Sequence, residues 1–377
     1  MRVIVVGAGV GGLTAAVALH RDGHDVTVLE ARDDTSAGAG ISLWPNALAA
    51  LDAIGAGDRV RRAGAPITAG AMRWKDGSWL RRPAADRLVE ALGEPLIVIE
   101  RSVLRDVLVR LLPNGTIRTG TRVSEVVAAG SARGVRSSTG AVFDADLVVG
   151  ADGTRSVLAR AINGPLEHRY VGYTAWRGVA DRGFDSRLAG EVLGPGSQFG
   201  LVPLGPERTY WFATAQLPEG SVFDDELGAV RELVQGWAEP LPALVAATDP
   251  DNLLRNDLYD RPTARRWGSG ATVLIGDAVH PMRPHLGQGG CQAIEDAVTV
   301  AACLRTEQDL GRAIARYETL RRPRVRRVVR ESRLIGAVVN GRPAPVWASL
   351  MRASIVVPDL AIRRHLAQIA GRGAFRL

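Results

Sequence analysis

Lysine is all but missing from this chain of 377 residues: Lys75 is the only one among 47 basic residues, so the net charge of +7 is carried by arginine. Cysteine is nearly as scarce. Cys291 and Cys303 fall in or near one expected helix at a spacing unsuited to zinc, which excludes a disulfide framework. The six histidines form no ligand motif, so no metal site is expected. No apolar run reaches membrane-spanning length. Without an integral membrane segment or a signal peptide ahead of the first strand, a cytoplasmic protein is expected. Aromatics make up 5% of the chain and are not interleaved with the run Arg321, Arg322, Arg324, Arg326, Arg327, Arg330 and Arg333. That run therefore reads as a helix with a solvated basic face, attractive to anionic cofactors, and no nucleic-acid partner is expected. Internal repeats and low-complexity tracts are lacking too.

Glycine, by contrast, is plentiful and patterned. Val3-Ile4-Val5-Val6 is a β-branched run expected of a strand buried on both faces of a parallel sheet. Gly7-Ala8-Gly9-Val10-Gly11-Gly12 follows at once, and Leu13 to Leu19 is helical in pattern. Such a loop presents the free N–H groups of a helix N-terminus to a pyrophosphate, with Gly7 turning, Gly9 admitting the phosphate and Gly12 letting helix and strand pack. A second buried strand, Asp25 to Leu29, ends at Glu30, an acid placed to accept hydrogen bonds from an adenosine ribose.

Two further signatures lie downstream. A strand ending at Gly150 leads into Ala151-Asp152-Gly153, with Arg155 and Arg160 just beyond. Another, Ala271 to Ile275, leads into Gly276-Asp277, then Pro284-His285-Leu286-Gly287-Gln288-Gly289-Gly290 and a helix from near Cys291 to Leu304. Asp277 can bind a polyol such as a ribityl chain. The last helix N-terminus carries partial positive charge suited to the pyrimidine edge of a reduced flavin. In this order the three segments read as one FAD site.

These residues resemble the group A flavoprotein monooxygenases, the family of para-hydroxybenzoate, salicylate and urate hydroxylases and zeaxanthin epoxidase. Gly38 to Ala47 around Trp44, Glu100 to Leu104, Tyr170 to Tyr173 with Trp176, and Tyr317 to Arg324 extend the likeness to about Gly336. The resemblance implies that Gly7, Gly9, Gly11 and Gly12 cradle FAD, with Glu30, Ala31 and Arg32 at the adenosine ribose. Arg101 and Asp277 would serve the phosphate and ribityl region. Gly40, Ile41, Val123, Pro284, Gly287, Gln288, Gly289 and Gly290 would complete the flavin surroundings. Asp152 and Gly153 would serve both FAD and the reductant, NADPH or NADH.

The fold class expected is α/β: a Rossmann-like FAD-binding domain of the glutathione-reductase type, like para-hydroxybenzoate hydroxylase, with an antiparallel-sheet substrate domain and C-terminal helices. Residues 1–70, 99–165 and 268–336 would form the first, 71–98 and 166–267 the second, and 337–377 the helical end. A hairpin is expected at Asp76-Gly77. Pro343 to Leu377, interrupted by Pro358, would pack on the core, join a dimer or touch a membrane surface; the oligomer is a monomer or homodimer.

In this chemistry reduced flavin and O2 give a C4a-hydroperoxide that delivers one oxygen atom to an aromatic ring or alkene of a small-molecule substrate. His285, Tyr210 and Gln198 are the candidate catalytic residues, and Tyr173, Trp176 and Trp211 the candidate pocket lining. A halogenase would need a relay lysine and a Trp-x-Trp-x-Ile-Pro motif, and neither occurs. An FAD reductase without oxygen insertion and a non-catalytic FAD scaffold remain alternatives at this stage.

Overall fold

A computed structural model describes residues 1–33, 40–82, 85–129, 132–341 and 343–377. Gly38 and Ala39, part of a stretch that carries the family likeness, lie outside the described residues. A six-stranded sheet forms the base. Four of its strands, Arg2–Val6, Asp25–Leu29, Leu147–Gly150 and Thr272–Leu274, run parallel in adjacent positions. Their residues are mainly apolar, as expected of strands covered on both faces.

Register is what makes this sheet a site. Val6 is paired with Leu29 on one side and Gly150 on the other, and Gly150 is paired with Leu274. All three glycine signatures and Glu30 therefore leave the sheet at one rung, at the carboxyl ends where open α/β sheets bind ligands. Helices Val10–Arg21 and Gly289–Thr306 pack tightly beside them, since a Cβ added to Gly11 would lie 3.0 Å from the Cβ of Ala293.

A seven-stranded sheet forms a roof, with central strands Arg169–Ala180, Thr209–Ala215, Ser197–Pro203 and Gly190–Gly194 antiparallel to one another. The hairpin Ala71–Trp74 and Trp79–Arg81 turns at Asp76-Gly77 as expected and joins the edge of the roof through a parallel pairing with Gly190–Gly194. The stretch 166–267 is not strands alone. Helices Glu226–Leu233 and Leu241–Ala246 close the outer face of the sheet around Leu227, Val230, Leu241 and Leu244.

The C-terminal segment packs onto the body. Helix Ala344–Ala353 places Ala348 and Met351 against Trp74, Leu80 and Leu193, and helix Asp359–Ala370 places Ile369 and Ala370 against Leu92 and Val328. Among the described residues no helix is long and apolar enough to cross a membrane.

Candidate active site

The floor of the cleft is built largely from backbone. Gly7 turns at φ +103°, where a Cβ would stand 2.5 Å from the Ala151 carbonyl oxygen; at Gly12 it would stand 2.0 Å from that of Gly7. At Gly9 a Cβ would meet nothing within 4 Å. Two of these glycines are demanded by the protein itself, and the third faces open space. Helix Val10–Arg21 has Gly9 as its N-cap with no side-chain cap, leaving its first-turn N–H groups free for an anion. Glu30 holds the loop, accepting hydrogen bonds from the N–H groups of Ala8 at 2.7 Å and Arg32 at 3.0 Å.

Helix Gly289–Thr306 starts in the same uncapped way at Gln288. Ahead of it Gly287 adopts a left-handed turn, φ +60°, with Trp44 Nε1 3.0 Å from where a Cβ would be. Asp277 opens into the cleft, and among the described residues nothing pairs with its carboxylate. Enough protein surrounds it for desolvation to push its carboxyl above the usual range, with His280, Arg101 and Arg261 drawing it back. Arg101 begins helix Arg101–Val109. Loss of hydration and the Arg177 charge lower its proton affinity, while Tyr210 and Asp277 raise it. Open glycine backbone, two uncapped helix starts, an unpaired acid and an arginine fit a flavin dinucleotide in their chemistry.

A buried ion cluster behind this floor holds the Pro284–Gly290 loop. Arg321, 3% exposed, reaches Asp296 at 2.8 Å and Glu295 more closely still. Arg324 binds Glu295 at 2.6 Å, and Asp296 also accepts from the Gly276 N–H at 2.9 Å and meets His280 Nε2 at 2.5 Å. Burial would raise the Asp296 carboxyl, but His280 and Arg321 bring it down to about 2. Asn46 donates to Glu295 and to Gln288, and Gln292 donates to Gln288. Gln288 thus spends its side chain on positioning the loop. The arginine run is not one solvated face: Arg321 is buried and Arg324 and Arg333 are engaged with Glu295 and Asp260, while Arg326 and Arg330 are exposed. Nothing in the run distinguished them, because the partners Glu295 and Asp296 stand on another helix.

Strand parity decides what the roof presents. One rung runs Met72, Glu191, Gly200, Phe212, Arg177 and the next Leu193, Gln198, Thr214, Ala175, both on one face with Tyr210. This face meets the floor: a Cβ on Gly40 would be 3.0 Å from the Tyr210 ring, whose phenol is pushed up by burial and eased by Arg177 and Arg101.

Residues 1–332 match the family model described as FAD binding domain. The chain is a member of the group A flavoprotein monooxygenase family. It is 40% identical over 344 residues to the aurachin C monooxygenase/isomerase of Stigmatella aurantiaca, covering 90% of this chain and 89% of that one. Identity to the FAD-dependent urate hydroxylase of Klebsiella pneumoniae is 34% over 352 residues, covering 91% of each. The crystal structure of Klebsiella pneumoniae HpxO complexed with FAD and uric acid superposes with a TM-score of 0.91 at 29% identity, over 98% of this chain and 96% of that one. The chain is accordingly an FAD-dependent monooxygenase that draws on NADPH or NADH and O2.

Within this monooxygenase two expected pocket residues stand elsewhere. Trp176 and Trp211, expected in the pocket, point away from the cleft into the outer core, where their indole N–H groups donate to Glu226 and Thr248, each at 2.8 Å. The odd-numbered positions of Thr209–Ala215 face the covering helices, so a strand read without its register gives the wrong face. Asp152 accepts from the N–H groups of Val157 and Leu158 and so caps helix Val157–Asn163 together with Ser156. Gly153 turns there at φ +78°. Val123 is a core residue, and Ile41 packs at Gly290, where a Cβ would lie 2.7 Å from its Cδ1.

His285 packs edge-on to Tyr173, ring centroids 5.5 Å apart, and its Nε2 lies 3.0 Å from Asn340 Nδ2. Burial and Arg283 lower it to about 4, so it is neutral at physiological pH. Burial pushes the Tyr173 phenol up to about 12, and Arg283 eases it.

Proposed function

We propose that the enzyme inserts one oxygen atom into a planar, electron-rich aromatic small molecule held between the floor and the Tyr210, Phe212 and Gln198 face of the roof. The observation that carries this is the pair of Tyr210 and Phe212 rings, centroids 6.4 Å apart, on the side of the sheet that meets the floor. Flat aromatic substrates stack on such rings at low entropic cost. The relatives named for urate and aurachin C support the same class.

In this reading Gly7, Gly9, Gly11 and Gly12 hold the FAD pyrophosphate through amides, Arg101 and Asp277 the phosphate and polyol, and Gly289 and Gly290 the ring's pyrimidine edge. Bound FAD, once reduced, supplies the activated oxygen. The protein binds, orients and keeps water out. His285 acts in this reading as a positioning residue, its Nε2 against the Asn340 amide and its ring edge-on to Tyr173. Its role is to fix the loop against the roof. Tyr210, which burial keeps protonated against the pull of Arg177 and Arg101, donates a hydrogen bond to the substrate's oxygen substituent.

Aromatic compounds that accelerate anaerobic reduction of the bound flavin by NADPH or NADH identify the substrate, and turnover under labelled dioxygen tests the reaction. One labelled atom in the product is expected. Label confined to water and hydrogen peroxide, with a tight-binding accelerator present, would reassign the enzyme as an oxidase.

A further inference from the structure

Glu191 is a half-buried acid on the roof. On its strand, Val192 turns outward into the core with Phe199 and Trp211, so Glu191 turns the other way, toward the cleft. Its rung crosses Gly200 to Phe212 and then Arg177. Gly200 lets the Phe212 ring lie flat across this rung on the side of Glu191: a Cβ there would fall 1.9 Å from that ring. Among the described residues Glu191 has no ion pair. The neighbouring Gln198 hydrogen-bonds it, and burial pushes its carboxyl up to about 7.

The other end of the rung is cationic. Arg177, held by Asn256 at 3.0 Å, lies within the electrostatic reach of Tyr210 and Arg101. Three strand spacings separate the Glu191 and Arg177 backbones, about 14 Å, with the Phe212 ring between them as a surface on which a fused bicyclic ring would stack and reach both. An acceptor at one end and cationic donors at the other match a molecule with an N–H at one edge and an oxygen substituent at the opposite edge.

We propose that Glu191 is a specificity residue of the cleft, accepting a hydrogen bond from the ring N–H of an oxygen-substituted aromatic heterocycle whose oxygen faces Arg177 and Tyr210. This rests on the monooxygenase cleft described above and names the substrate class within it. No other cleft-facing carboxylate of the roof's two rungs could play this part.

The test uses the FAD-loaded enzyme and two probes of one shape, a hydroxyindole and a hydroxybenzofuran carrying the hydroxyl on the same ring carbon, with binding read from the flavin spectrum. The indole should bind about tenfold to a hundredfold more tightly, the range for a hydrogen bond to a charged or partly charged group. Glu191→Leu should erase that preference while FAD content stays unchanged, and Glu191→Gln, which keeps an acceptor oxygen, should restore most of it. Equal binding of both probes, binding of neither, or a preference that survives in Glu191→Leu overturns the proposal. Failure of the purified chain to take up FAD would instead strike at the cleft reading itself.

Discussion

The two walls of the cleft are made of different material. The floor offers main-chain N–H groups at two uncapped helix starts, Gly9 and Gln288, with one acid and one arginine between them. The roof offers side chains selected by strand parity: Tyr210, Phe212, Gln198, Arg177 and Glu191 on one face, Trp211, Phe199 and Trp176 on the other. A floor of backbone tolerates few residues and recognises a fixed cofactor. A roof of side chains can change its chemistry one residue at a time without moving a strand, which is how one fold serves many substrates.

The floor also depends on support from behind, and the largest effect is expected there. Arg321→Met leaves Glu295 and Asp296 buried with a partner missing, a loss expected to cost about 3–5 kcal/mol of stability in denaturant unfolding. A cost below about 1 kcal/mol would mean the cluster does not hold the loop. The pH dependence has a definite sign. Asp296, lowered to about 2 from 3.8, stabilises the fold above the unfolded value, and that contribution is lost as pH falls from about 4 toward 2.

Neighbouring roof residues sharpen the contrast. Trp211→Phe should lower stability by about 1–3 kcal/mol through lost packing and the lost hydrogen bond to the Thr248 hydroxyl, and leave substrate affinity unchanged. Phe212→Ala should do the reverse, weakening binding of an aromatic substrate with little effect on melting. If both variants changed binding equally, the parity assignment would fail.

How far the sequence could be read follows the same division. Where backbone geometry dictates the residue, as at Gly7 and Gly12, motif and structure coincide, and the three signatures do meet at the rung Leu274, Gly150, Val6, Leu29. Where only alternation matters, composition misleads: Trp176 and Trp211 look like pocket residues until pairing fixes their face. Asp152 illustrates a third case, since an Asp-Gly turn does not reveal in sequence that one of its carboxylate oxygens caps a helix. Gln288 and Arg321 were obscured because their partners, Asn46 and the Glu295-Asp296 pair, lie far away in the chain.

The smallest effect on the protein is also the most direct test. Gly9 has ordinary backbone angles, φ −71° and ψ 178°, and open space where a Cβ would go, so nothing in the apoprotein requires glycine. Gly9→Ala should keep apoprotein stability within about 0.5 kcal/mol and raise the FAD dissociation constant about tenfold or more, because the methyl occupies the approach of the pyrophosphate. Measured side by side, unchanged melting with weakened FAD binding is the predicted result. An FAD dissociation constant equal to that of the unmodified chain would contradict the claim that this floor is where the cofactor's phosphates rest.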